Sequence, residues 1–156
     1  MTDTEVKAEL TEFHVIGLTI WGEARGEPIE GKVFVGSVIR NRVLNPRRFG
    51  DTYDKVCLAR AQFSCWFAYG GKANYDALMQ MAWAFAGVSA RDGLPKDARL
   101  EECLFVAEGI IGGQLLDRAA GPNHYLTKAL LKAAPPAWAK GRTPVVECGS
   151  HIGFKL

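Results

Sequence analysis

The sequence predicts a mainly α fold in a single domain spanning residues 1–156, with long loops and at most a small β-hairpin. Three observations carry that expectation. Apolar residues recur at three- and four-residue spacing in four separate segments, as in helices with one buried face. The aromatic- and glycine-rich stretches between them hold no such stripe and read as ordered loops. The length of 156 residues, 48% of them hydrophobic, suits one core and leaves no room for a second domain of ordinary size.

The first helix opens on Thr2 and Glu5, which have capping-box spacing, and continues through Val6, Leu10, Phe13, Ile16 or Gly17, Ile20 and Ala24. Gly26 is expected to end it in a left-handed conformation. Pro28 biases Glu27 towards an extended backbone and starts the next helix at its first position. That helix runs from about residue 30 to 44, with Phe34, Val38 and Val43 inward and Arg40 and Arg42 near its C-terminal end. Asn45-Pro46 stops it.

Residues 47–71, with Phe49, Tyr53, Phe63, Trp66, Phe67 and Tyr69, read as a loop region that can hold a short hairpin. A third helix is expected over residues 75–90, with Leu78, Ala82, Phe85 and Val88 or Ser89 on one side. A fourth, over residues 100–111, turns Cys103, Leu104, Ala107 and Ile111 inward, and Gly112-Gly113 closes it. Beyond it come turns, one short helical patch and an extended tail.

A formal charge of +2, with nineteen basic residues dispersed among seventeen acidic ones, argues against a nucleic-acid protein. No segment reaches the roughly 18 to 20 apolar residues of a membrane span, and the opening M-T-D-T-E-V-K-A-E-L is unlike a secretory leader. The expectation is therefore a monomer made in the cytoplasm, with no stable membrane association. Cys57, Cys65, Cys103 and Cys148 lack paired C-x-x-C spacing and read as small buried hydrophobes, with a Cys57 to Cys65 bridge as the alternative after export. Cys148-x-x-His151 alone is too thin a signal for zinc, so neither a metal nor a cofactor is expected.

The stretch I-W-G-E-A-R-G-E-P at residues 20–28 raises the main functional question. Residues 13, 16, 20, 23 and 27 follow one helical stripe, which puts Glu23 on the side of Phe13, Ile16 and Ile20. Desolvation there, and the negative end of the helix dipole, favour a protonated acid, as a general acid requires. The competing explanation is an ion pair of Glu23 or Glu27 with Arg25, Arg40 or Arg42, and Glu27 fits it well. Gly22 beside the acid can let a substrate approach the backbone.

Four blocks in order, W-G-E-A-R-G-E-P-I-E-G-K-V with V-I-R-N-R-V, A-Q-F-S-C-W, N-H-Y-L-T and G-S-H-I-G-F, resemble the cell wall hydrolase family of spore-cortex-lytic enzymes and related phage endolysins. The likeness runs from about residue 15 to the end, and it departs from the family where Gly153 intervenes before Phe154. It implies a lysozyme-like domain that cleaves the glycan strand of peptidoglycan, with Glu23 as the acid, in the manner of a lytic transglycosylase or muramidase. An opening unlike a secretory leader fits a phage lysin that accumulates in the host cytoplasm and reaches the wall after release, with a bacterial remodelling enzyme as the alternative.

The candidate substrate-binding residues are Glu27, Gln62, Ser64, Trp66, His124, Tyr125, Thr127 and His151. Gln62 and Ser64 offer polar groups to sugar substituents, and Tyr125, Trp66 or Trp138 offer flat faces for the rings. A two-carboxylate mechanism needs a second acid at roughly 5 to 9.5 Å, for which Glu27, Asp51, Asp54 and Asp117 are available. Three rivals remain: a thiol peptidase or amidase using Cys65 with His124 or His151, a wall-binding module, and a purely structural protein.

Overall fold

The computed structural model describes residues 1–87, 97–115 and 121–156. The capping box forms as expected: Thr2 Oγ1 accepts from Glu5 N, and Thr2 N donates to Glu5 Oε2. The long first helix, however, is two. Helix α1 (Asp3–Glu9) ends at Leu10, which is extended, and Thr11 caps a new start by accepting from His14 N, opening α2 (Glu12–Ala24). The stripe hides this break because Leu10 stays buried across it.

Helix α2 is enclosed on all sides along its middle, where Val15 to Trp21 are all buried, with α3 (Ile29–Val43), α5 (Tyr53–Cys57), α6 (Lys72–Phe85) and α7 (Ala98–Ile111) around it. Its end differs from expectation. Gly26 is not left-handed, and Arg25 ends the helix instead, its guanidinium donating to Trp21 O and Gly22 O and stacking 4.1 Å from the Trp21 ring. Pro28 serves as the cap of α3 and not as its first residue.

The stretch expected to hold a hairpin is helical: α4 (Pro46–Phe49), α5 and two 3-10 turns, Ser64–Trp66 and Ala68–Gly70. Pro46 starts α4, and Thr52 caps α5 by accepting from Lys55 N. Helix α6 begins three residues before its expected start, and Val88 and Ser89 lie outside the described residues. In α7 the inward residue is Ile110, whereas Ile111 is 42% exposed, and Gly113 adopts φ 77° just beyond it.

The β structure lies near the C-terminus. β1 (His124–Thr127) leads into α8 (Lys128–Ala133), then β2 (Val146–Cys148) and β3 (His151–Phe154) form an antiparallel sheet of order β1-β3-β2. Tyr125 pairs with Gly153 and Thr127 with His151. Every residue of β3 is buried. Alternation sends Ile152 and Phe154 into a small core with Leu126 and Ala139, and turns His151 towards Phe34 of α3. A Cβ on Gly153 would lie 2.8 Å from Val146 Cγ1 and 3.0 Å from Phe34 Cζ, so any larger residue there would have to displace the neighbouring side chains.

Helix α1 is pinned by polar anchors. Asp3 accepts from Tyr75 Oη at 2.5 Å and Trp83 Nε1 at 3.0 Å, and Lys7 Nζ donates to Trp66 O at 2.8 Å. The hydrogen bonds from Tyr75 and Trp83 hold the Asp3 carboxyl below its ordinary 3.8. Its folded pKa is thus depressed, so its stabilisation is present above 3.8 and is lost as the pH falls through the folded value. Acidification below 3.8 is expected to loosen α1 before the rest, read as faster amide exchange in residues 3–9. Asp3→Asn should show that exchange at neutral pH and lack the acid step.

Candidate active site

The buried course of α2 delivers Glu23 to the floor of an open groove. Its Oε2 accepts from Tyr125 Oη at 2.8 Å and its Oε1 from Cys65 N at 3.3 Å. Where sequence reasoning expected apolar neighbours or an arginine, each oxygen instead has a neutral donor. Among the described residues neither Glu23 nor Glu27 forms an ion pair with Arg25, Arg40 or Arg42.

The groove encloses about 580 Å³. Of the residues singled out in the sequence, Glu23, Gln62, Ser64, Tyr125, Thr127, Trp138 and His151 line it. Three do not. Trp66 is fully buried and donates from Nε1 to Thr19 Oγ1 at 2.8 Å, a core role. Glu27 accepts from Ser150 Oγ and lies 3.9 Å from His151 Nδ1, tying the β2–β3 turn to the start of α3. His124 packs 5.1 Å from Trp138 and 5.7 Å from Phe49, just outside the wall, with Nδ1 bonded to Asn123 Oδ1.

Gly22 has a different use from the one its sequence position suggests. A Cβ there would lie 2.5 Å from Cys65 Cβ, so glycine lets the 64–66 turn come close enough for the Cys65 amide to reach Glu23. The same burial disfavours a thiolate. Desolvation, followed by the charge of Glu23, pushes the Cys65 thiol well above its ordinary value, whereas a nucleophilic cysteine needs the reverse. Cys57 is likewise a buried free thiol, pushed to about 12 by burial, and no bridge joins it to Cys65.

Tyr125 is held protonated, its hydroxyl pushed well above 10 first by desolvation and then by Glu23, so it remains a donor to that carboxylate. Its ring meets His151 edge-on at 5.1 Å, and burial lowers the His151 pKa against the opposing pull of Glu27 and Glu23. None of the proposed second acids that the structure describes lines the groove: Asp51 pairs with Lys55 on the surface, and Asp54 and Glu27 lie elsewhere. Asp117 lies outside the described residues.

Six groove residues were not singled out as site residues in the sequence, Arg42, Ala61, Tyr69, Leu126, Leu130 and Pro136, and two of them shape the site. Arg42 is 6% exposed, donates to Asn123 O and to Gln62 Oε1, and lies 4.8 Å from the Phe63 ring. In the sequence it was visible as a helix-terminal charge in V-I-R-N-R-V and as a candidate partner of Glu23 or Glu27, and not as the guanidinium among aromatics that orients Gln62. Tyr69 lines the groove too, its Oη accepting from the amide of Ala61, a non-glycine residue at φ 64°. Such backbone strain is a signal that only coordinates reveal.

A helical domain whose enclosed central helix ends on a carboxylate at the floor of a groove, with a small sheet as one wall, is of the lysozyme-like class. A family model described as Cell Wall Hydrolase matches residues 26–154, and the chain belongs to that family. Glu23 stands three residues ahead of the matched span. Among solved structures, the catalytic domain of the SleB protein of Bacillus cereus is similar at 22% identity and TM-score 0.60, over 92% of this chain and 89% of that one. The catalytic domain of the germination-specific lytic transglycosylase SleB of Bacillus anthracis is similar at 23% identity and TM-score 0.61, over 92% and 93%. At these identities the likeness establishes the fold. No curated protein matches the chain.

Proposed function

We propose that this protein cleaves the glycan strand of peptidoglycan between N-acetylmuramic acid and N-acetylglucosamine, with Glu23 as general acid and then base. The observation that carries this reading is that, among the described residues, Glu23 is the only carboxylate lining the groove and is held by donors from two distant segments. Glu23 would protonate the glycosidic oxygen, then take the proton of the muramic C6 hydroxyl as that oxygen attacks C1, releasing a 1,6-anhydro end. Gln62, Ser64 and Thr127 offer polar groups to the sugars, and Trp138 a flat face. Similarity to the lytic transglycosylase SleB of Bacillus anthracis supports the anhydro outcome over addition of water.

Mass spectrometry of fragments from purified peptidoglycan is the test, with anhydromuramic ends expected. Reducing muramic ends would replace the transglycosylase by a muramidase, and release of free peptides alone would remove glycan cleavage altogether. Cys65→Ala is expected to keep the same products at a comparable rate, and loss of turnover in that correctly folded variant would restore the thiol mechanism.

A further inference from the structure

Beside the groove, cationic side chains gather that, among the described residues, are in no ion pair with an acid. The Arg48 and Arg42 guanidinium carbons lie 5.1 and 5.4 Å from the Phe49 ring centroid. That ring is 5.7 Å from His124, which in turn packs against Trp138 on the groove wall. Arg142, four residues after Trp138, acts electrostatically on the same imidazole. Among the described residues none of these three arginines is in an ion pair. Arg42 is buried and bonded to Asn123 and Gln62, whereas Arg48 and Arg142 are exposed. Like charges brought together without counter-charge repel, and a bound anion removes that penalty.

We propose that Arg48 and Arg142, backed by Arg42, form a carboxylate-binding site at the edge of the groove that takes the peptide-stem carboxylate of the bound glycan. This rests on the glycan reading above, because the stem hangs from the muramic lactyl group and so reaches the groove edge when a sugar lies against Trp138. Planar guanidinium groups match a carboxylate in a two-pronged fashion that lysine does not. His124 supplies a reporter: burial first, then the three arginines, push its pKa down to about 4, so it is neutral in the empty site. A carboxylate beside it would raise that value.

The experiment uses Glu23→Gln protein, which needs no turnover, and three ligands: a muramyl disaccharide with an acidic dipeptide stem, the same compound with its carboxyls amidated, and the stem-free disaccharide. The acidic form is expected to bind about tenfold more tightly than either of the others and to move the His124 NMR titration upward. Arg48→Gln with Arg142→Gln should abolish both effects and leave stem-free binding unchanged, and the paired Arg→Lys changes should restore only part. Equal affinity for all three ligands, equal loss for all three in the Gln variant, or tighter binding of a teichoic-acid phosphodiester than of the acidic stem would overturn the proposal. If wild-type protein releases no glycan fragments but the stem selectivity persists, the cleavage reading fails and the carboxylate site stands.

Discussion

Glu23→Gln is expected to lower lytic turnover by about 10²–10⁴-fold, the range that a positioned general acid supplies, with little change in unfolding temperature. The amide keeps the shape of the carboxylate, and its oxygen can still accept from Tyr125 or from Cys65 N, so the fold loses no packing. What it cannot do is give and then retake a proton. Turbidity clearing of purified walls measures the rate, and calorimetry the stability. A variant that folds and clears walls at the wild-type rate removes Glu23 from the chemistry. One that clears slowly only because it is unfolded would appear in the calorimetric trace.

Gly22→Ala is expected to damage stability and activity together. The new methyl would sit 2.5 Å from Cys65 Cβ and 2.8 Å from its Sγ, closer than carbon atoms pack, so the 64–66 turn must retreat. Overpacking of this kind costs about 1–3 kcal/mol. The retreat also carries the Cys65 amide away from Glu23, so the rate at temperatures where the variant is fully folded should fall too. Adding Cys65→Gly removes the obstructing Cβ and should recover part of the rate. Wild-type activity and melting in Gly22→Ala would show that the turn does not hold the carboxylate.

Much of the scaffold could be read from the chain because helices declare themselves locally. The α3 and α7 segments were placed within one or two residues of their ends, and the capping box at Thr2 formed as spaced. The break at Leu10 escaped because a buried residue at a kink keeps the stripe's phase. The stretch from Pro46 to Gly70 escaped because its helices are single turns, too short to show a period, and because Phe63 and Trp66 serve the core whereas Tyr69 faces the groove. Glu23 stood out through its stripe, but its partners did not. Tyr125 is 102 residues away and Cys65 is 42, and no local pattern encodes such a meeting. Trp66 shows the converse: a motif residue can be memorable and yet serve the interior.

That separation also bears on how the chain matures. The tyrosine sits on β1, whose neighbour in the sheet is β3, the last strand, so the groove wall opposite α2 is missing until that strand emerges from the ribosome and closes a long loop. A nascent chain already carrying Glu23 therefore lacks its tyrosine donor and the sheet that walls the groove, and a translation product cut short before residue 151 should be inert towards the wall.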